Sequence, residues 1–187
     1  MKSGSIIVIS GPSGVGKTRL YKRLLADMPQ SLQFSISATT RSPRINEKNG
    51  ADYYFISREE FDKKIGNNEF VEWADVYGNC YGTLKSEILR IRDEGKNCLL
   101  DVDVQGGMNI KSILPESVLI FILPPSMKEL RKRIMERKTD DKNTIRIRLK
   151  TAAREMECVK SYQYTIINDD IETAYNELKG LVLRIIG

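Results

Sequence analysis

Ile6-Ile7-Val8-Ile9-Ser10-Gly11-Pro12-Ser13-Gly14-Val15-Gly16-Lys17-Thr18 is the stretch on which the fold turns. Its apolar, β-branched start, Ile6 to Ile9, reads as a buried strand. Gly11 to Thr18 then fits the order Gly, any four residues, Gly, Lys, and Ser or Thr, which is the pattern of a phosphate-binding loop. Leu20, Leu24 and Leu25 follow at helical spacing. The glycines let successive backbone N–H groups turn inward around an anion, and the helix behind them offers its positive end. Gly11, Ser13, Gly14, Val15, Gly16, Lys17 and Thr18 are therefore the candidate ATP-binding residues of the loop. Lys17 is expected to reach the β- and γ-phosphates, and Thr18 to hold magnesium through its hydroxyl. A plain glycine turn is the competing reading, and the strand–loop–helix context argues against it.

The bulk numbers narrow the field. The 187 residues suit one domain, or a core with small insertions. At 41% hydrophobic the chain can bury a core, yet no apolar run is long enough to span a membrane. No secretory signal is expected, because the early apolar stretch runs straight into the loop. Cys80, Cys98 and Cys158 are odd in number and lack metal-ligand spacing. They read as free thiols of a cytoplasmic protein. The chain has no histidine, which excludes Ser–His–Asp hydrolysis, Cys–His catalysis and histidine metal sites. The net charge of +5 suits a polyanion. Nucleotide phosphates and nucleic acid both answer to that description.

Two further apolar runs, Cys98 to Val102 and Val118 to Leu123, and a shorter one, Tyr164 to Ile167, precede helix-like stretches. This alternation predicts an α/β fold: a P-loop NTPase-type parallel sheet covered by helices on both faces. Ligands of such sheets sit at the carboxyl ends of the strands, where the loop and Asp101-Val102-Asp103 both fall. From Ser35 to Gly82 the texture changes to Ser, Thr, Tyr, Asn and Gly. Asp52 to Ile56 and Phe70 to Ala74 alternate there like half-exposed strands, as an inserted mixed-β subdomain would. A basic region follows Pro124-Pro125: Arg131, Lys132, Arg133, Arg137 and Lys138, then Arg146, Arg148, Lys150 and Arg154. Thr139 to Asn143 interrupts its helical pattern and reads as a mobile loop in a helical lid. The expected division is 1–35, 88–125 and 160–187 as core, 36–87 as inserted subdomain and 126–159 as lid.

Ser37-Ala38-Thr39-Thr40-Arg41-Ser42-Pro43-Arg44, with Glu47, Gly50, Asp52 and Tyr53, resembles the monophosphate-binding segment of guanylate kinases. The resemblance continues through Phe70 to Ala74, Gly78 to Thr83, Leu100 to Gly106, Pro124 to Ser126 and Ile167 to Asp170, and so covers nearly the whole chain. It implies MgATP and GMP, or dGMP, as substrates, and names the inserted subdomain as the GMP-binding one. Glu72 and Asp103 become the guanine-reading carboxylates, with Ser37 and Thr83 supplying hydroxyls. The chemistry agrees: guanine presents two adjacent donors, and an ionised carboxylate only accepts. Arg41 and Arg44 would clasp the acceptor phosphate, helped by the phenols of Tyr53 and Tyr81, with Glu47 orienting an arginine. Arg137 and Arg148 match the lid arginines, and Asn168 a residue on the adenine side of ATP. Thr18 and, through water, Asp101 would be the protein's metal ligands. Lys17, Arg41, Arg137 and Arg148 are the expected catalytic group.

Three positions depart from the family pattern. Asn46 stands where glycine is common, and Asn tolerates left-handed backbone. Lys138 replaces a glycine after the lid arginine, and Arg19 a second hydroxyl residue in the loop. Three other readings stay open at this stage: a guanylate-kinase-like protein-binding module, a kinase for another small phosphate ester, and a basic nucleic-acid-binding protein. The intact loop speaks against the first, the paired carboxylates against the second, and the lack of a recognition helix or aromatic platform against the third. A cytoplasmic monomer or homodimer, without membrane or nucleic-acid partners, is the expected setting.

Overall fold

The computed structural model describes residues 4–76, 78–136 and 141–187, apart from the side chain of Lys142. In chain order the elements are β1 (Ile6–Ser10), α1 (Lys17–Asp27), β2 (Leu32–Phe34), β3 (Ala38–Thr39), β4 (Tyr54–Phe55), α2 (Arg58–Gly66), β5 (Phe70–Val76) and β6 (Asn79–Leu84). Then come α3 (Lys85–Asp93), β7 (Asn97–Asp101), α4 (Val104–Ile113), β8 (Val118–Leu123), α5 (Met127–Glu136), α6 (Lys142–Glu157), β9 (Tyr164–Ile167) and α7 (Ile171–Ile186). A short 3-10 turn, Cys158–Ser161, joins α6 to β9.

β1 is the keystone of a five-stranded parallel sheet ordered β2-β7-β1-β8-β9. All five of its residues are buried, because both sheet faces are covered. Ile7 and Ile9 face one way, onto Leu20 and Leu24 of α1 and onto Leu178 and Val182 of α7. Ile6 and Val8 face the other, onto Ile88 and Ile91 of α3 and Ile110 of α4. That two-sided burial is why these strands read as continuous apolar runs. β2 escaped the sequence reading, since Leu32-Gln33-Phe34 is too short to form such a run.

A second, mixed sheet of four strands, ordered β4-β3-β6-β5, sits between β2 and β7 in the chain. β3 runs parallel to β4 and antiparallel to β6, and β6 pairs antiparallel with β5. It has its own small core of Phe61, Phe70, Cys80 and Leu84, with Phe61 and Phe70 stacked at 4.4 Å. The expected strand over Asp52 to Ile56 shrinks to Tyr54–Phe55, while that over Phe70 to Ala74 extends to Val76.

In the basic region the expected loop ends earlier than read. Asp141 caps α6 by accepting a bond from the Thr144 N–H at 2.7 Å. Lys142 and Asn143 are thereby helical, and Thr139 and Asp140 lie outside the described residues. Among the described residues no helix is long and apolar enough to cross a membrane.

Gly107 of α4 lies where three segments converge. A Cβ there would collide with the Tyr162 hydroxyl and come within 2.9 Å of Ser10 Oγ. Tyr162 is anchored, since its hydroxyl donates to the Val104 carbonyl and its ring meets Phe121 edge-on. Gly107→Ala is expected to destabilise the fold by about 1–3 kcal/mol, read as a lower midpoint of urea unfolding.

Candidate functional site

Register brings the loop and two carboxylates to one edge of the sheet. Ile9 of β1 pairs with Asp101 at the end of β7, so the phosphate loop leaves β1 beside Asp101-Val102-Asp103. Gly16 caps α1 at φ 100°, in the left-handed region, and a side chain there would run into Asn168. Gly11 is held against the Ile122 carbonyl of β8, where a Cβ has no room. The loop is thus wedged between β8 and the residue after β9. Asn168 is buried, and its amide donates to the Val15 carbonyl at 2.7 Å. Its side chain is thereby engaged in fixing the loop's shape.

Lys17 folds back over the loop. Its Nζ donates to the Gly11 carbonyl at 2.7 Å and lies 3.8 Å from Asp101 Oδ1. Burial raises the Asp101 pKa, and the Lys17 charge opposes that rise. Arg148, on α6, reaches across and donates to Ser13 Oγ at 2.8 Å, joining the basic region to the loop. Arg133 of α5 donates to the Asn168 carbonyl at 2.8 Å. A space of about 400 Å³ opens there, bordered by Gly14, Gly16, Arg19, Arg133 and Asn168. Arg131, Lys132, Arg146 and Lys150 are exposed, as expected of a solvated face. Arg137 and Lys138 lie outside the described residues.

Facing the loop, the second sheet, together with the start of α4, presents two groups. The first is cationic and aromatic. Arg41 makes a two-pronged pair with Glu47, Nη1 to Oε2 and Nη2 to Oε1, both at 2.9 Å. Its Nε donates to the Tyr81 hydroxyl at 3.2 Å, and its guanidinium lies 5.5 Å from the Tyr53 ring centre. Glu47 also accepts the Arg44 backbone N–H at 2.7 Å. Arg41 and that N–H hold the Glu47 carboxyl below its usual range, and Glu47 in turn raises Arg41. Arg44 itself is exposed on the same loop. Asn46 adopts φ 73° there, so the turn survives without glycine.

The second group is acidic. Thr83, fully buried, donates from Oγ1 to Glu72 Oε1 at 2.6 Å. Asp103 caps α4, its Oδ1 accepting the Gly106 N–H at 2.7 Å. The two carboxylates converge on the start of α4: a Cβ at Gly106 would meet Glu72 Oε2 at 3.1 Å and Asp103 Oδ1 at 3.3 Å. Burial raises the Glu72 pKa, Thr83 opposes this, and Asp103 adds to it. Glu72, Asp103, Tyr81, Tyr53 and Ser37 border a cavity of about 320 Å³. Ser37, Tyr53 and Asp101 also border a neighbouring one of about 540 Å³ that contains Thr18 and Glu47. One cleft therefore runs from the acidic pair, past the Arg41 cluster, to the phosphate loop.

Two residues, one lining this cleft and one electrostatically coupled to it, were missed from sequence. Tyr21 lies one turn beyond Thr18 on α1, borders the larger cavity and stacks on Phe34 at 5.0 Å. Burial pushes its phenol up to about 12. Its i+3 spacing from Thr18 was the available signal. Glu155 lies two turns after Arg148 on α6, half-buried; burial raises its carboxyl, the Lys17 charge lowers it and Asp103 raises it.

A phosphate loop at the carboxyl edge of a parallel sheet, facing a second ligand pocket across one cleft, defines a P-loop phosphotransferase of the nucleotide-kinase kind. The family model described as guanylate kinase matches residues 3–184. The chain is 44% identical to the guanylate kinase of Clostridium tetani over 97% of its own length and 86% of that protein. It is 45% identical to that of Caldanaerobacter subterraneus, over 97% and 88%. The crystal structure of guanylate kinase from Anaplasma phagocytophilum superposes with a TM-score of 0.76 at 35% identity, covering all of this chain and 88% of that one. The chain belongs to the guanylate kinase family. The SH3-kinase fragment of tight junction protein 3, at TM-score 0.53 and 14% identity, shares the fold.

Because burial raises Glu72, the native state binds its proton more tightly than the unfolded chain does. Stability then falls as pH rises through the carboxylate range, and the penalty is complete above the folded pKa. Glu72→Gln keeps the acceptor for Thr83 and removes the charge. Its thermal midpoint is expected to exceed the parent's at pH 8, with the difference closing below the ordinary carboxylate range.

Proposed function

We propose that the cleft transfers the γ-phosphoryl group of MgATP to GMP or dGMP, giving ADP and GDP or dGDP, with the roles of its residues as follows. The activity is that of the family, phosphorylation of GMP by ATP in purine nucleotide metabolism. The observation that carries the assignment of the acceptor end is the convergence of Glu72 and Asp103 beside the Arg41, Tyr53 and Tyr81 cluster. Two carboxylates match the adjacent donors of guanine and oppose the ring acceptor of adenine. Thr83 orients Glu72, and Ser37 offers a hydroxyl. Arg41 and Arg44, with Tyr53 and Tyr81, hold the monophosphate; Glu47 keeps the Arg41 fork pointed until the phosphate competes for it.

Gly11 to Thr18 cradle the triphosphate, and Asn168 lies on its adenine side. No general base is needed, because the acceptor phosphate is already an anion. Catalysis is positioning and charge neutralisation by Lys17, Arg41, Arg137 and Arg148. Guanylate kinases use ATP and typically need a divalent metal, which here we take as magnesium. Among the described residues no cluster of three or more His, Cys, Asp or Glu could hold an ion. The oxygens of Thr18 and Asp101, bordering one cavity, suit an ion that keeps waters and takes phosphate oxygens for the rest. Bound there, it would neutralise charge on the β- and γ-phosphates.

Residues 36–87 form the GMP-binding subdomain and 126–159 the lid on this reading, with 1–35, 88–125 and 160–187 as core. The three free thiols suit a cytoplasmic enzyme, working as a monomer or homodimer.

ADP release from MgATP with GMP, AMP, CMP and UMP in parallel tests the assignment. Turnover with GMP alone is expected, and equal turnover with another acceptor overturns the roles of Glu72 and Asp103. Lys17→Met should lower kcat by about a thousandfold, and near-parental turnover would refute its role. Glu72→Gln should narrow the preference for GMP over AMP.

A further inference from the structure

Glu87 stands outside the cleft and outside the chemistry, yet it is 4% exposed. A buried carboxylate is costly unless it is well paired. Its bonds give the reason for a charge there. Glu87 Oε2 accepts from the Tyr54 hydroxyl at 3.1 Å and from Arg90 Nε at 3.2 Å. Its Oε1 accepts from Arg90 Nη2 at 2.9 Å and from the Ile36 backbone N–H at 3.5 Å.

These contacts fall where the chain crosses between its two sheets. The outward crossing runs from β2 to β3, and α3 leads the return. On the outward crossing, Ser35 donates to the Leu99 carbonyl of the core sheet at 2.8 Å, and the Ser37 carbonyl accepts the Tyr54 N–H at 2.9 Å. Ile36, between them, gives its N–H to Glu87. Glu87 therefore grips the outward crossing, the return helix and β4 at once. A cavity of about 330 Å³ borders Tyr54, Leu84, Glu87 and Arg90. Tyr54 packs on the small core of the second sheet, and on the open, cavity side the hydroxyl–carboxylate bond ties it down.

Two of these contacts have a cleft residue as chain neighbour: Ile36 precedes Ser37, and Tyr54 follows Tyr53. We propose that Glu87 is a positioning residue for the acceptor end of the cleft, acting through Ile36 and Tyr54 on Ser37 and Tyr53. The proposal rests on the reading of those two as GMP contacts. The donor end is anchored separately, through Gly11, Asn168 and Arg148, so the effect belongs to GMP and not to ATP.

The test uses Glu87→Gln, Tyr54→Phe and their double variant in the full chain. Glutamine has one acceptor oxygen where two are faced by donors, so its amide must confront a like group. Tyr54→Phe removes a hydroxyl alone and guards against misfolding of the first variant. KM for GMP, KM for ATP and kcat are measured, with GMP binding by calorimetry in the absence of ATP and thermal midpoints alongside. Both single variants should raise KM and Kd for GMP by roughly three- to thirtyfold, with KM for ATP unchanged. The double variant should add little to Glu87→Gln, because the pair shares one bond. Parental GMP affinity in folded Tyr54→Phe and Glu87→Gln overturns the proposal, as do parallel rises in both KM values, which mark general loosening. A parental protein that fails to bind GMP overturns the underlying reading instead.

Discussion

A largely buried ammonium governs this molecule. Lys17 is 15% exposed and stands at the mouth of the loop, held by the Gly11 carbonyl and the Asp101 carboxylate. A cation in such a place is tolerated only where acceptors are already in position. The acceptors this requirement calls for are supplied by the sheet: β7 pairs with β1 so that Asp101 falls opposite the loop, and Gly11 is held against β8. The buried sheet, with its parallel register, is the frame that satisfies it. The helices on both faces exist to keep that frame dry.

The rest of the cleft follows the same electrostatic logic with the signs arranged for a ligand. Arg41 is not left bare; Glu47 occupies its fork and the Tyr81 hydroxyl accepts from its Nε. On the function proposed above, an incoming phosphate would exchange one anion for another rather than desolvate a free guanidinium. At the other end Thr83 fixes one oxygen of Glu72, and the α4 N-terminus fixes one of Asp103. Two like charges that would otherwise repel are each held by a donor, with acceptor capacity still facing the cavity.

Much of this was legible in the residue order, for identifiable reasons. β1, β7 and β8 are buried on both faces, so they appear as apolar runs and were located to within a residue. β2 was missed because three residues carry no periodicity. The loop was legible because its chemistry demands fixed spacing. Asn168 was read as a residue on the adenine side of ATP, while its bond to Val15 went unread, since it depends on the tertiary path of a residue 153 positions away. Asp103 was read as a guanine contact, while its capping of α4 went unremarked although Gly106 three residues on is the usual spacing for such a bond. Glu87 was invisible, since a lone acidic residue in a charged helix reads as solvent-facing. Asp141 hid its cap inside a polar stretch that resembled a loop.

The central position of β1 also constrains how the chain can be made. Its two neighbours, Asn97–Asp101 and Val118–Leu123, are encoded far downstream. During synthesis the first strand leaves the ribosome long before either arrives. For that interval an unpaired, largely apolar strand is exposed, a state prone to misassociation. The second sheet, whose four strands lie between Ala38 and Leu84, can pair meanwhile from local contacts. β1 thus completes its pairing late, and the phosphate loop, held by Ile122 and Asn168, takes its final shape only once most of this chain exists.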